Sequence, residues 1–339
     1  RFIFHEIWVR ETTEKVTNWL LRKGFLLNPS RGLDLGVRIV FDERRLAINY
    51  DHIISTACRG APASPSPSTC KKKENIFMSD AAKNSIETKN LHVGYQQKNS
   101  VNLIQQNISI QLAKGEFVGI LGKSGIGKST LLRTLTGVQE AISGDVIING
   151  KNIKSYNYRE LSTIISLVLT EQLPDSQLTV FDLVALGRQP YTNWVGKLEK
   201  KDLEKIRWAL AQTETTALAH RYFYELSDGQ LQRVLIARAL AQDTQIILLD
   251  EPTAHLDMHH TIKIFKLLKK LSKETNKTII ITTHEVNLAI NSADQLILLT
   301  DKEVVAGNKK VLIERNSFDH LFSSEIVNFN ATLNRVAQT

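Results

Sequence analysis

Short apolar runs alternate with longer amphipathic stretches over most of the chain. Phe117–Leu121, Ile164–Leu169, Ile246–Leu249, Thr278–Thr282 and Gln295–Leu299 have the length of strands covered on both faces. Asp145–Ile148 reads as a further strand, and Ile86–Val93 and Val101–Leu112 as edge strands of a β-rich start. Between them Ser129–Leu135, Asp202–Ala211, Gly229–Ala241 and His260–Glu274 repeat apolar positions at helical spacing. Strands alternating with helices predict an α/β domain built on a mainly parallel sheet covered on both faces. No apolar run approaches the roughly 18 residues of a membrane-spanning helix, so work at a membrane would need a span from another chain.

Composition divides the chain. Residues 1–77 mix Trp8, Trp19 and several arginines, then pass through the Pro/Ser alternation of Ala61–Ser68 and the run Lys71–Lys73. Such a stretch reads as linker rather than core. The first methionine is Met78, and we expect the native start there, with 1–77 an uncharacterised extension outside the working domain, 78–339. The alternative is an added docking or regulatory segment. The extension holds 13 Lys/Arg against 8 Asp/Glu, which leaves a near-balanced 30 against 27 for the rest and no electrostatic case for nucleic acid. Both cysteines, Cys58 and Cys70, precede Met78, so the main domain has neither disulfides nor a thiolate metal site.

Gly122-Lys123-Ser124-Gly125-Ile126-Gly127-Lys128-Ser129, continuing to Thr130, follows an apolar strand and opens a helix. In that context the pattern is a phosphate-binding loop. Its glycines let the backbone wrap anionic oxygens, and successive N–H groups with the helix N-terminus face the anion. Lys128 is placed to reach the outer phosphates, and Ser129 to ligate Mg²⁺. Ile246–Leu249 delivers Asp250 and Glu251 to the carboxyl edge of a buried strand. Asp250 suits the Mg²⁺ site, and Glu251 suits a base that orients and deprotonates water.

Together with Leu226-Ser227-Asp228-Gly229-Gln230, Asp257 and His284 in this order, these motifs resemble the ABC ATPases over residues of about 86 to 300. The resemblance implies a P-loop NTPase (RecA-like) core, a mainly parallel sheet, with an antiparallel β-subdomain and an inserted α-helical signature subdomain at about 156–225. It further implies that two copies sandwich two ATPs head to tail. Ser227 and Gly229 would contact the γ-phosphate held by the partner's loop, His284 would be the switch histidine, and Asp257 would communicate between subunits. Tyr95 falls where the family stacks an aromatic on adenine. The family's coupling glutamine is expected at Thr170, where the chain reads Thr170-Glu171-Gln172; Gln172 is its displaced candidate. Aspartate at 228 replaces the usual glycine.

Only about 100 residues separate loop and signature, too few for the long insertion of a DNA-maintenance ATPase. Leu178–Tyr191 is similar to the helical segment of ATPases serving ferric-siderophore, haem and cobalamin importers. The expectation is an ATP- and Mg²⁺-dependent importer subunit, peripheral on the cytoplasmic face of the membrane. Its partners would be a second copy, an integral-membrane permease and, indirectly, a solute-binding protein. The alternative is a soluble ATPase of this type acting in translation or DNA maintenance. The tail, 301–339, is expected to carry a hairpin near Glu303–Asn308.

Overall fold

The computed structural model describes residues 40–42, 45–47, 84–97, 100–169, 176–193, 196–319, 321, 327–330 and 335–338. The chain divides into two units at Phe77/Met78. In the first, Val40–Asp42 pairs antiparallel with Arg45–Ala47.

The second unit opens with β1 (Asn84–Gln97), β2 (Ser100–Ile108), β3 (Gln111–Ala113) and β4 (Phe117–Leu121), then α1 (Lys128–Leu135) and β5 (Ser143–Ile148). Helix α2 (Tyr158–Ile164) runs straight into β6 (Ile165–Val168), followed by α3 (Val180–Ala185), α4 (Lys200–Gln212) and α5 (Asp228–Ala241). Then come β7 (Ile246–Leu249), α6 (Met258–Thr275), β8 (Thr278–Thr282), α7 (Val286–Ser292), β9 (Gln295–Leu299), β10 (Val304–Gly307) and α8 (Lys309–Glu314).

Six strands form the main sheet in the order β10-β9-β4-β8-β7-β6. All neighbours are parallel except β10, which folds back antiparallel on β9. The period-2 alternation of side chains sends each apolar strand into two cores at once. Phe117, Ile247, Leu249, Ile279, Ile281 and Leu298 join the core under the helices. Val118, Ile120, Ile246, Leu248, Ile280 and Ile297 join the core shared with α1 and the antiparallel strands. Each such side chain gains about 1.5–3 kcal/mol on burial. That is why these runs are uniformly apolar rather than alternating.

The second sheet is antiparallel, in the order β2-β1-β5, with β3 beside the first half of β1. Two expectations need correction here. The Ile86–Val93 run is not an edge strand, because β1 lies between β2 and β5. The single strand expected over Val101–Leu112 is broken at Ser109-Ile110, where the Thr88 hydroxyl donates to Ile108 O at 2.9 Å and accepts from Ile110 N at 3.1 Å. This polar bridge carries the chain past the break, and β3 resumes pairing along β1 on the side opposite β5.

The helical region is entered only after β6, since α2 feeds a strand of the main sheet. The hairpin in the tail turns at Thr300–Glu303, earlier than expected, and Val304–Gly307 is its returning strand. Among the described residues no helix is long and apolar enough to cross a membrane.

Candidate active site

Strands β4, β7 and β8 are adjacent and parallel, so their carboxyl ends bring the loop, Asp250-Glu251 and Thr283-His284 to one edge. The loop ends at Gly127, which has φ of +107° and is the N-cap of α1. A side chain there would be strained, and a Cβ would lie 2.4 Å from Ile104 Cγ2. Glycine is therefore required twice over. No side chain caps α1 and no acidic residue lies in its first turn, which leaves its N-terminal N–H groups directed at the loop. Ser124 and Gly125 are exposed on the loop's outer turn.

Lys128 is buried, its side chain only 4% exposed, and folds back over the loop. Its ammonium donates to Gly122 O and Lys123 O, both at 3.1 Å, and lies 3.8 Å from Glu251 Oε1. Burial holds its pKa below the usual lysine range, against the opposing pull of the Glu251 and Asp250 carboxylates. Ser129 Oγ donates to Asp250 Oδ1 at 3.0 Å, so the two predicted metal ligands already meet. Lys123 forms an ion pair with Asp301 at 3.0 Å.

Glu251 has a left-handed backbone, φ of +45°, uncommon for a residue with a side chain. Its N–H donates to Thr282 Oγ1 at 2.7 Å, and that hydroxyl donates in turn to Asp250 Oδ1 at 2.6 Å. Thr282 thus fixes both carboxylate residues from the neighbouring strand. It was missed in the sequence, where the only signal was a buried apolar strand ending in threonines. Glu251 Oε1 lies 2.7 Å from His284 Nε2 and the same nitrogen lies 3.4 Å from Lys128 Nζ. Glu251, His284 and Lys128 therefore converge on one point. Tyr95 is half-exposed, with its hydroxyl 3.2 Å from Thr130 Oγ1, which sets its ring beside the start of α1.

The signature residues open α5 as a capping box. Ser227 N donates to Gln230 Oε1 at 3.1 Å, and Gln230 N donates to Ser227 Oγ at 3.4 Å. Leu226 packs against the helical core. Ser227 and Asp228 are exposed, whereas Gly229 is buried against His260, whose ring would stand 2.8 Å from a Cβ there. Asp257 caps α6, accepting from His260 N at 2.8 Å and lying 2.9 Å from His260 Nδ1. His260 therefore ties the signature glycine to Asp257, a link invisible in the sequence. Thr170 and Gln172 lie outside the described residues.

The segment Leu178–Tyr191 begins with Thr179 capping α3. Buried Arg188 donates to Asp202 Oδ1 at 2.9 Å and to Ala241 O at 2.7 Å, fastening the segment to the far end of α5.

Residues 105–254 match the family model described as ABC transporter. An ABC transporter ATP-binding protein of Methanocaldococcus jannaschii is 35% identical over 73% of this chain and 84% of its own length. The chain belongs to the ABC transporter ATP-binding proteins. The petrobactin import ATP-binding protein FpuD of Bacillus anthracis is 37% identical over 66% of this chain and 81% of its own. The iron(3+)-hydroxamate import ATP-binding protein FhuC of Bacillus subtilis is 36% identical over the same shares. Among solved structures, the dimeric bacterial ABC transporter cassette MJ0796 superposes with a TM-score of 0.58 at 31% identity, over 66% of this chain and 98% of that one. Its post-hydrolysis state bound to ADP and Pi gives 0.57. The cassette is an ATPase with the P-loop NTPase fold.

Proposed function

We propose that the cassette energises import of an iron complex, a siderophore or haem, or a related solute such as cobalamin, through a separate membrane permease. The observation behind this reading is the match, over about four-fifths of their lengths, to import ATPases for petrobactin and iron(3+)-hydroxamate. The cassette would sit on the cytoplasmic face of the membrane, and two copies would close over two ATPs.

In this reading the N–H groups at the start of α1 and the Lys128 ammonium bind the outer phosphates, releasing the lysine from the Gly122 and Lys123 carbonyls. Ser129 Oγ and Asp250 Oδ1, 3.0 Å apart, are hard oxygen donors that suit Mg²⁺. The ion, when bound, supplies charge neutralisation on the phosphates. Glu251 orients the attacking water and takes its proton, and His284 holds Glu251 on one side and reaches the γ-phosphate on the other. Ser227 and Gly229 of the second copy complete the site. The Arg188 anchor makes Leu178–Tyr191 and the signature helix one mechanical piece, so a permease loop resting on the segment would move with the signature.

The test is to co-purify the cassette with its membrane partner and assay ATPase activity with ferric hydroxamate, haem and cobalamin. Stimulation by one of them is expected. Recovery of no polytopic partner, or activity indifferent to all three, overturns the import reading.

A further inference from the structure

Beside the phosphate loop, where Ile104 stands against Gly127, β2 departs from regular pairing. Leu91 faces Ile108 and Val93 faces Gln105, so Gln106 and Asn107 together oppose His92 alone. This is a β-bulge, with Asn107 at φ +56° and its side-chain oxygen 3.0 Å from His92 Nε2. Bulges re-aim side chains, and this one leaves Gln105 pointing inward, 7% exposed. Both bonds of its amide nitrogen go to main-chain carbonyls, Ile126 O at 3.1 Å and Thr300 O at 3.2 Å.

We propose that Gln105 is a positioning residue for nucleotide phosphate, acting through the Ile126–Gly127 peptide. A trans peptide points its C=O and N–H in opposite directions. Holding Ile126 O toward β2 therefore turns the Gly127 N–H to the other side, where the loop wraps the anion. The second bond fixes the anchor itself, because Thr300 begins the turn closed by Thr300 N to Glu303 O at 3.1 Å. Gln105 and that turn form a rigid back wall, and the Ile104 methyl against Gly127 keeps the loop pressed onto it. Without the amide, the half-buried Ile126 carbonyl loses this donor and the peptide gains freedom to rotate.

The inference rests on Gly122–Ser129 being the phosphate site, so Lys128→Ala is the control. Gln105→Met keeps length and volume but removes both donors. It should weaken ATP binding about tenfold by calorimetry and raise KM with kcat at saturating ATP nearly unchanged. Gln105→Glu keeps the shape and places an acceptor against two carbonyls. Its ATP affinity should be lower still at neutral pH and recover on mild acidification, as the protonated carboxyl regains a donor, while wild type, whose own pH dependence lies in the alkaline range, shows no such recovery. That recovery separates positioning from mere packing and reads the proposal even if the methionine variant fails to fold. If Lys128→Ala weakens ATP binding while the Gln105 variants bind as wild type, Gln105 has no such role. If Lys128→Ala also binds normally, the site assignment itself falls.

Discussion

Two helices of the cassette begin at a sequence motif, and they treat their N-termini in opposite ways. Helix Lys128–Leu135 starts from a left-handed glycine with no side-chain cap, no acidic residue in its first turn and a buried lysine at its first position. Helix Asp228–Ala241 starts from Ser227 with a complete capping box and Asp228 in its first turn. The unsatisfied N–H groups and dipole of the first are a standing demand for an anion. Those of the second are already partly answered by the chain itself, on an exposed surface. The first terminus, in the proposed reading, would bind phosphate within one chain. The second is stable unaided, and in the proposed dimer it would exchange part of its own capping for a phosphate held by the other copy.

The largest effect should come from the residue between the two termini in that dimer. Glu251→Gln is expected to lower turnover by about 10²–10⁴-fold while ATP binding persists. Both helix termini would then stay on ATP, and size-exclusion chromatography with ATP should show a lasting dimer. Turnover near the wild-type rate would remove Glu251 as the base.

Substitutions at Ser227 sharpen the contrast between capping and phosphate contact. Aspartate caps a helix as well as serine does, so Ser227→Asp should leave the melting temperature almost unchanged. Its carboxylate would face the partner's phosphate, and ATP-dependent dimerisation and hydrolysis should be lost. Ser227→Ala should do the reverse in part, costing about 1 kcal/mol of stability and leaving more activity than the aspartate variant. If the two variants lose activity equally and in step with stability, the serine acts only as a cap.

Much of this was legible in the sequence, for reasons of locality. Phe117–Leu121, Ile246–Leu249, Thr278–Thr282 and Gln295–Leu299 have the bounds read from the pattern, because strands buried on both faces carry uninterrupted apolar centres. The break between β2 and β3 was not legible, since Thr88 marks it through pairing from 20 positions away. The phosphate loop needs only eight consecutive residues, whereas Thr282 bridges to Asp250 from 32 positions away, and Gln105 to Thr300 from 195. The capping box at Ser227-x-x-Gln230 is present as a pattern at a legible helix start, but the same letters form the signature, so the letters alone do not separate a cap from a phosphate contact.

The smallest expected effect is a fraction of a proton, and it separates the two termini by charge. Burial lowers the Lys128 pKa from 10.5, and the nearby Glu251 and Asp250 carboxylates only partly restore it, with His284 adjacent. The sign follows from linkage. Below the lowered value the buried ammonium is charged at a cost to stability, and that cost is relieved as pH rises through it toward 10.5. Nucleotide phosphates favour the ammonium, so binding should raise the pKa again. In the alkaline window between the two values, ATP binding should take up protons, and affinity should fall as pH rises. Calorimetry in two buffers of different ionisation enthalpy reads this as a buffer-dependent heat. The dependence should vanish in Lys128→Met and survive in Ser227→Ala, because the second terminus has no buried cation to recharge. A buffer-dependent heat unchanged in Lys128→Met would place the proton elsewhere and dissolve the electrostatic half of the contrast.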